Sequence, residues 1–152
     1  MSYVADPSSS DGEFNRDTDY IDTRITADGR HGYPVEAGRY RLIVARACPW
    51  ANRTLIVRKL KGLEDVISFS SVHPLMLENG WTFEQGHGCD GDPLFGYDFL
   101  HQIYTRADET YTGRVTVPIL WDKATNTLVN NESSEIIRML DETFDRSPHT
   151  FL

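Results

Sequence analysis

The hydrophobic pattern of the chain changes near residue 38. In residues 1–38, polar residues and glycines dominate, and the few apolar positions follow neither a helical nor a strand period. This pattern predicts an irregular N-terminal extension that can pack on a domain, with residues 34–38 as the junction. The run RYRLIVARA at 39–47 is apolar and β-branched at its centre, which predicts a buried strand.

A helix is predicted directly after this strand. Cys48 is followed by Pro49, which is favoured at a first helical position because the N–H that proline lacks would have no intrahelical partner there. Apolar positions continue the helix to Leu60, and Gly62 can end it. The alternating run at 66–72 predicts a second strand, and a helical crossover makes it parallel to the first.

The second half of the chain begins with a long glycine-rich connection at 73–98, a length that is often functional. The elements predicted after it are a short helix at 99–106, a strand at 115–121 interrupted by Pro118, a turn at 122–127, a strand at 128–129, and a helix at 133–140 that Asn130 and Asn131 open. Ile136, Ile137 and Leu140 are expected on the inner face of that last helix.

The predicted order β-α-β-(α)-β-β-α is the plan of an α/β domain of the thioredoxin-like type. A cysteine at the first strand-to-helix junction and a proline at the third strand are typical of this fold. The expected organisation is an extension at 1–38, the domain at 39–145, and a tail or the start of an interdomain linker at 146–152.

Composition and charge argue against several classes of function. The 152 residues include 15 Lys and Arg against 23 Asp and Glu, so the formal net charge is −8. No basic stripe is available to neutralise phosphates, which argues against a nucleic-acid partner and against a membrane-surface protein. No stretch approaches the roughly 20 apolar residues of a membrane span, and the acidic N-terminus has no secretory signal pattern. Since two cysteines do not make a disulfide framework, we expect a cytoplasmic domain.

Cys48 is the first candidate for chemistry. A cysteine at a helix N-terminus faces backbone N–H groups and the positive end of the helix dipole, which together stabilise a thiolate, the nucleophilic form. The alternative is a buried, inert cysteine. Ala51 stands where a dithiol oxidoreductase has its resolving cysteine, so a mixed disulfide at Cys48 must be cleared by an external small thiol such as glutathione.

The other cysteine, Cys89, lies in the glycine-rich connection and is interpreted as incidental, with a resolving role as the alternative. His73 and His87 are near it in sequence, but the spacing does not make a zinc site, and we expect a solvated loop and no bound metal.

Two further segments are candidates for ligand contacts. If the Val117–Pro118 bond is cis, the Val117 backbone turns outward near Cys48 and can pair with an extended peptide ligand; the alternative is a plain edge-strand proline. In the run NNESSE at 130–135, Ser133 can offer its hydroxyl and N–H to a carboxylate and Glu132 can receive an ammonium, which suits the α-amino acid end of a γ-glutamyl group. The alternative for that run is simple helix capping.

Trp81 and Arg114 complete the set of candidate residues. Trp81 can lie against a ligand, and Arg114 can meet a carboxylate. Either residue can instead belong to the core or to the surface.

These segments together resemble the N-terminal half of the glutathionyl-hydroquinone reductases, the Xi class of glutathione transferases. The stretches that carry the resemblance are RYRLIVARACPWANRTLIVRKLKGLED, SVHPLMLENGWTF and YTGRVTVPILWDKATNTLVNNESSEIIRML, with ITADGR resembling the family's N-terminal arm. The combination of C-P-W-A with NNESSEIIRM is specific.

The resemblance implies a two-step reduction of a glutathionyl-hydroquinone through a Cys48–glutathione mixed disulfide. It implies no bound cofactor, with glutathione or another small thiol as co-substrate. The residues expected at the site are Cys48 as nucleophile, with Trp81, Arg114, Val117, Pro118, Glu132 and Ser133 around glutathione. Two alternatives stay open: an Omega-like or glutaredoxin-like deglutathionylating thiol transferase, and a non-catalytic thioredoxin-like binding module.

One departure from the family affects these expectations. Family members continue into an all-helical C-terminal domain that supplies the quinone pocket, whereas this chain ends at Leu152. The expectation is a fragment, a split gene product or a truncated enzyme, with the thiol site present and the hydroquinone site missing. Its uncovered apolar faces favour a homodimer or association with a separate helical domain.

Overall fold

The computed structural model describes residues 21–144. The first 20 residues of the predicted extension and the predicted tail at 146–152 lie outside the described residues. No helix within 21–144 is both long and apolar enough to cross a membrane.

A four-stranded mixed sheet forms the centre of the domain. Its strands are β1 (Tyr40–Val44), β2 (Ser68–Ser71), β3 (Ile119–Asp122) and β4 (Thr127–Asn130), in the spatial order β2-β1-β3-β4. β1 is parallel to β2, while β3 is antiparallel to both β1 and β4. The predicted parallel pair and the thioredoxin-like plan are therefore confirmed.

Three helices accompany the sheet. They are α1 (Pro49–Leu60), α2 (Leu100–Ala107) and α3 (Ser133–Arg138), and α3 continues into a π-helical turn (Met139–Thr143). α1 packs against α3 and the π-helical turn, and α2 packs against β4. Gly62 has φ of 65° directly after the C-cap of α1, the left-handed conformation that glycine adopts without a steric penalty, as predicted for a helix end.

The third strand is shorter than the predicted run at 115–121. Ladder pairing begins only at Ile119, after a cis Val117–Pro118 peptide bond. The segment before the proline bonds elsewhere, because the Tyr104 hydroxyl donates to the Thr116 carbonyl at 2.8 Å and accepts from the Thr116 N–H at 3.2 Å.

The last helix begins later than the asparagines that were expected to open it. Glu132 is its N-cap, and its carboxylate accepts from the Ser134 N–H at 3.2 Å. The inner face also differs from the prediction, since Met139 rather than Ile137 is buried with Ile136 and Leu140. These three positions follow the i, i+3, i+4 spacing of a helical face.

Residues 21–38, called the arm below, pack along β4 without forming a helix or a continuous strand. Ile25 is only 2% exposed and belongs to the core. The Thr23 hydroxyl donates to the Val129 carbonyl, and the Asn130 side-chain amide donates to the Thr23 carbonyl at 3.0 Å. The Asn131 side-chain oxygen accepts the N–H of Ile21 at 3.0 Å. Both asparagines that were expected to open the last helix therefore bond to the arm.

Candidate functional site

Cys48 occupies the N-cap position of α1, as the sequence predicts. Its backbone is extended, with φ −91° and ψ 116°, and its carbonyl accepts the N–H of Asn52 at 2.9 Å. Its own N–H donates to the Ala45 carbonyl at 2.9 Å, which holds the turn between β1 and α1. The thiol is free, and the residue is 8% exposed.

The surroundings of this thiol favour an anion. The first N–H groups of a helix have no carbonyl partner within the helix, and the dipoles of the 12-residue α1 point their positive end at Cys48. No acidic residue lies in the first turn of α1 to oppose this field. A cysteine at such a helix N-terminus is placed as nucleophilic cysteines are in proteins that attack disulfides and other electrophilic sulfur.

Val117 lies at the end of the sheet where Cys48 follows β1. Ile119 pairs with Ile43, so the two residues before Ile119 run beside the last part of β1 and the turn after it. Within residues 21–144, the N–H and C=O of Val117 make no hydrogen bond. A backbone with both groups available at this position is suited to pair with an extended peptide ligand.

Glu132 and Ser133 are joined to the thiol helix by Arg53, a residue that the sequence analysis did not select. Arg53 lies one turn along α1 from Pro49. Its Nε and Nη2 donate to the Ser133 hydroxyl at 3.0 and 2.6 Å, and Nη2 lies 3.9 Å from the Glu132 carboxylate. The side chain stands over the Trp50 ring, 5.1 Å from its centroid. Its position five residues after Cys48 was visible in the sequence, but the packing of α1 on α3 was not.

Tyr104 is a second residue that the sequence analysis missed. Its hydroxyl binds the backbone of Thr116, one residue before Val117, and accepts from the Asn131 side-chain amide at 3.3 Å, one residue before Glu132. Burial raises the pKa of Tyr104 above its usual value, so the hydroxyl keeps its proton at neutral pH. Tyr104 therefore fixes the two segments that carry Val117 and Glu132.

Trp81 lies in the connection after β2, at the same end of the sheet as Cys48. Val72, the residue after β2, donates its N–H to the Val44 carbonyl, and His73 donates its N–H to the carbonyl of Thr82, beside Trp81. The Trp81 side chain is half-buried against the core.

Arg114 is exposed, and its guanidinium makes no hydrogen bond or ion pair with the described part of the chain. The carbonyl of this residue accepts the hydroxyl of Tyr111. The structure thus places Cys48, Val117 and Trp81 at the same end of the sheet and joins Glu132 and Ser133 to α1 through Arg53, while Arg114 lies outside these contacts.

Cys89 lies apart from these contacts. It is a free thiol, 2% exposed, and its N–H and carbonyl pair with those of Gly86. The surrounding loop is exposed, as predicted, although the rings of His73 and His87 contact each other edge to face with centroids 5.3 Å apart. Residues 21–144 contain no group of three or more His, Cys, Asp or Glu side chains placed to hold a metal ion.

The chain is similar to known proteins along most of its length. A family model described as "Glutathione S-transferase, N-terminal domain" matches residues 47–143. Two curated relatives are "Glutathionyl-hydroquinone reductase YqjG" of Escherichia coli, 53% identical over 147 residues, and "Glutathionyl-hydroquinone reductase PcpF" of Sphingobium chlorophenolicum, 52% identical over 140 residues. Each alignment covers 92% of this chain, but only 45% and 44% of the relatives.

A solved structure gives the same picture. The glutathione-bound structure of YqjG from Escherichia coli superposes with a TM-score of 0.78 at 56% identity, over 81% of this chain and 43% of that chain. The chain therefore spans less than half the length of the relatives that it matches.

Proposed function

The chain belongs to the glutathione S-transferase family through its N-terminal domain, and on this premise we propose that it is a glutathione-dependent reductase of glutathionyl-hydroquinones that acts through Cys48. One observation carries the proposal. The helix that carries a free thiol at its N-cap, α1, also carries Arg53, which bonds the Ser133 hydroxyl and pairs with Glu132 at the start of α3. The two relatives described above, both called glutathionyl-hydroquinone reductases, support the choice of substrate.

The proposed reaction has two steps. In the first, the Cys48 thiolate attacks the sulfur of the glutathionyl group; the bond between that sulfur and the quinol ring breaks, and the ring carbon takes a proton to give the hydroquinone. In the second, the thiolate of a second glutathione attacks the Cys48–glutathione disulfide and releases oxidised glutathione and the Cys48 thiolate. The hydroquinone conjugate is reduced by two electrons, and the two glutathionyl sulfurs are oxidised to a disulfide. Ala51 supports the need for the external thiol, because no second cysteine follows Cys48 within α1.

The residues around Cys48 suggest how glutathione is held. The Val117 backbone pairs with the cysteinyl part of glutathione, which places its sulfur beside the Cys48 thiolate. Glu132 receives the ammonium and Ser133 the carboxylate of the γ-glutamyl end. Pro118 turns the Val117 backbone outward, Trp81 lies against the ligand, and Arg114 meets its second carboxylate.

The first test is capture of glutathione from oxidised glutathione, measured by mass spectrometry of the intact chain and of its peptides. We expect one glutathione adduct, located on Cys48, and release of one equivalent of glutathione. Cys48→Ser is expected to abolish the adduct, because an alcohol is not ionised at neutral pH. Cys89→Ser is the matched control and is expected to retain it. An adduct on Cys89 alone, or on neither cysteine, would contradict the proposal.

A second assay separates this function from its nearest alternative. Reduction of a glutathionyl-hydroquinone is compared with reduction of a glutathionylated peptide at equal concentration. Turnover of the hydroquinone conjugate supports the proposal, whereas turnover of the peptide disulfide alone favours a deglutathionylating thiol transferase.

A further inference from the structure

The Ser133 hydroxyl is held in an unusual way for a serine at a helix start. A serine hydroxyl can accept two hydrogen bonds and donate one. Here both acceptor positions are taken by Arg53, through Nε at 3.0 Å and Nη2 at 2.6 Å. Only the hydroxyl proton remains, and within residues 21–144 it makes no hydrogen bond, although Ser133 is only 4% exposed. A buried donor without a partner costs free energy unless a ligand supplies the acceptor.

We propose that Arg53 is a positioning residue that occupies both acceptor positions of the Ser133 hydroxyl, so that the hydroxyl can only donate a hydrogen bond to a ligand. This end of the site therefore selects ligands that carry a carboxylate. The inference rests on the proposed function, because it concerns how the same site recognises the γ-glutamyl end of glutathione. Without Arg53, the hydroxyl is free to rotate and to accept from an amide or an ammonium as readily as it donates. With Arg53 in place, a carboxylate oxygen fits and a donor group does not.

The neighbouring groups hold the guanidinium in this orientation. The Trp50 ring lies against one face of Arg53, with 5.1 Å between the guanidinium carbon and the ring centroid. Glu132 lies 3.9 Å from Nη2, and its Oε1 already accepts from the N–H and hydroxyl of Ser134. Glu132 is therefore a hydrogen-bond acceptor and the Ser133 hydroxyl is a donor. An ammonium and a carboxylate on one α-carbon match this pair, the ammonium at Glu132 and the carboxylate at Ser133.

The test compares three disulfides as donors of an adduct to Cys48. They are oxidised glutathione, the disulfide of a glutathione analogue without the γ-glutamyl carboxylate (4-aminobutanoyl-cysteinyl-glycine), and 2-hydroxyethyl disulfide. Arg53→Met removes the donors and keeps most of the side-chain length. Since a hydrogen bond to a charged group contributes about 1.5–3 kcal/mol, Arg53→Met is expected to slow capture from oxidised glutathione roughly 10- to 100-fold. The rates with the other two disulfides are expected to change less than about threefold.

Three further variants separate positioning from a general structural role. Arg53→Lys restores one donor and is expected to recover part of the rate with oxidised glutathione. Lys59→Met, which removes an exposed positive charge from the same helix, is expected to change none of the rates. Ser133→Ala is expected to lose the same discrimination as Arg53→Met, and the double variant is expected to lose no more, because both changes remove one interaction.

Each result has a distinct meaning. Equal slowing of all three disulfides by Arg53→Met, or additive losses in the double variant, would overturn the role assigned to Arg53. If Arg53→Met does not fold, retention of the carboxylate preference by Ser133→Ala would overturn it equally. Failure of the unaltered chain to form any Cys48 adduct with oxidised glutathione would instead contradict the proposed function.

Discussion

At the scale of single residues, the hydroxyls of Tyr104 and Ser133 differ in how many of their hydrogen-bonding positions are used within the protein. This difference separates a structural role from a role in ligand recognition. The buried Tyr104 hydroxyl uses its proton on the Thr116 carbonyl and accepts from the Thr116 N–H and from the Asn131 amide. All of its capacity is used inside the protein, so we expect it to stabilise the fold and to hold the site without touching a ligand. Ser133 keeps one unused donor, which is the property of a group that meets a ligand.

Tyr104→Phe is expected to lower the free energy of unfolding by about 1–3 kcal/mol, because the part-buried backbone of Thr116 and the buried Asn131 amide lose their partner while the ring packing remains. Since those groups precede Val117 and Glu132, we also expect the KM for glutathione to rise. Urea denaturation at pH 7 and steady-state kinetics measure the two effects.

Tyr97→Phe is the matched control for this substitution. Its hydroxyl makes no hydrogen bond within the described part of the chain, and its loss is expected to change stability by less than about 0.5 kcal/mol. Equal effects of the two substitutions would show that the Tyr104 hydroxyl has no special role.

At the scale of the elements, an ion pair fixes β1 to β3 at the end of the sheet away from the thiol. Arg39 donates from Nε and Nη2 to the two carboxylate oxygens of Asp122, at 2.9 and 2.8 Å. Asp122 also accepts from the Ala124 N–H and the Thr125 hydroxyl. Burial by itself raises the pKa of Asp122, but the hydrogen bonds from Arg39, Thr125 and Ala124 outweigh it and hold the pKa below its usual value.

The sign of the resulting pH dependence follows from this lowered pKa. The contribution of Asp122 to stability is fully present above the pKa of an unfolded aspartate, about 3.9, and is lost as pH falls through the lower folded-state pKa. Asp122→Asn is expected to lower the free energy of unfolding by about 3–5 kcal/mol at pH 7 and to remove this part of the decline below about pH 4. Urea titrations between pH 2 and 7, run on both proteins, measure it; this range extends about two units below and about three units above the unfolded pKa.

Glu36→Gln provides the control, because Glu36 bonds the same Arg39 at 3.2 Å from an exposed position. Its loss is expected to cost less than about 1 kcal/mol. A loss as large as that of Asp122→Asn would mean that the burial of the Arg39–Asp122 pair does not matter.

The order of the elements could be predicted from the sequence, but the start of β3 and the N-cap of α3 could not. Hydrophobic period and the Cys48–Pro49 junction were sufficient for β1 and α1, because these signals are local. The start of β3 depends on Tyr104, which binds Thr116 across 12 positions of sequence and keeps that segment out of the ladder. The N-cap of α3 was misassigned because Asn130 and Asn131 resemble caps but instead bond to a segment more than 100 positions away, and Glu132 caps the helix.

Only part of the candidate site could be predicted from the sequence. Cys48, Val117, Glu132 and Ser133 stand in recognisable local motifs, and their roles toward glutathione remain predictions. Arg53 stands in no such motif, since an arginine on a helix is most often a solvated residue. Its position against Ser133 depends on the packing of α1 against α3, which is a tertiary contact over 80 positions.

At the scale of the whole molecule, the arm and the candidate site share two asparagines. Asn130 donates to the Thr23 carbonyl and accepts the N–H of Glu132 at 2.8 Å. Asn131 accepts the N–H of Ile21 at 3.0 Å and donates to Tyr104. Each asparagine thus joins the arm on one side to a group that holds the site on the other, and loosening the arm is expected to loosen the start of α3.

Ile25→Ala tests this coupling from within the arm. Ile25 is a core residue of the arm, and its N–H contacts the Met139 sulfur at 3.4 Å. Removing its buried methyl and methylene groups is expected to lower the free energy of unfolding by about 2–5 kcal/mol. Because a weakened arm opens locally before the sheet does, hydrogen exchange at the Glu132 amide is expected to accelerate more than exchange at Ile43 in β1.

The control for this coupling is Val35→Ala, since Val35 lies in the same arm but is 40% exposed. It is expected to change stability by less than about 0.5 kcal/mol and to leave the Glu132 amide unaffected. If Ile25→Ala accelerates exchange at Glu132 and Ile43 by the same factor, only global stability has changed and the arm does not act on the site. A selective acceleration of exchange at Glu132, together with a higher KM for glutathione, is the expected result. The reason is that Asn130 bonds both the arm and Glu132, the N-cap of α3. The ordered arm therefore helps to determine the position of the Glu132 carboxylate, an acceptor in the site.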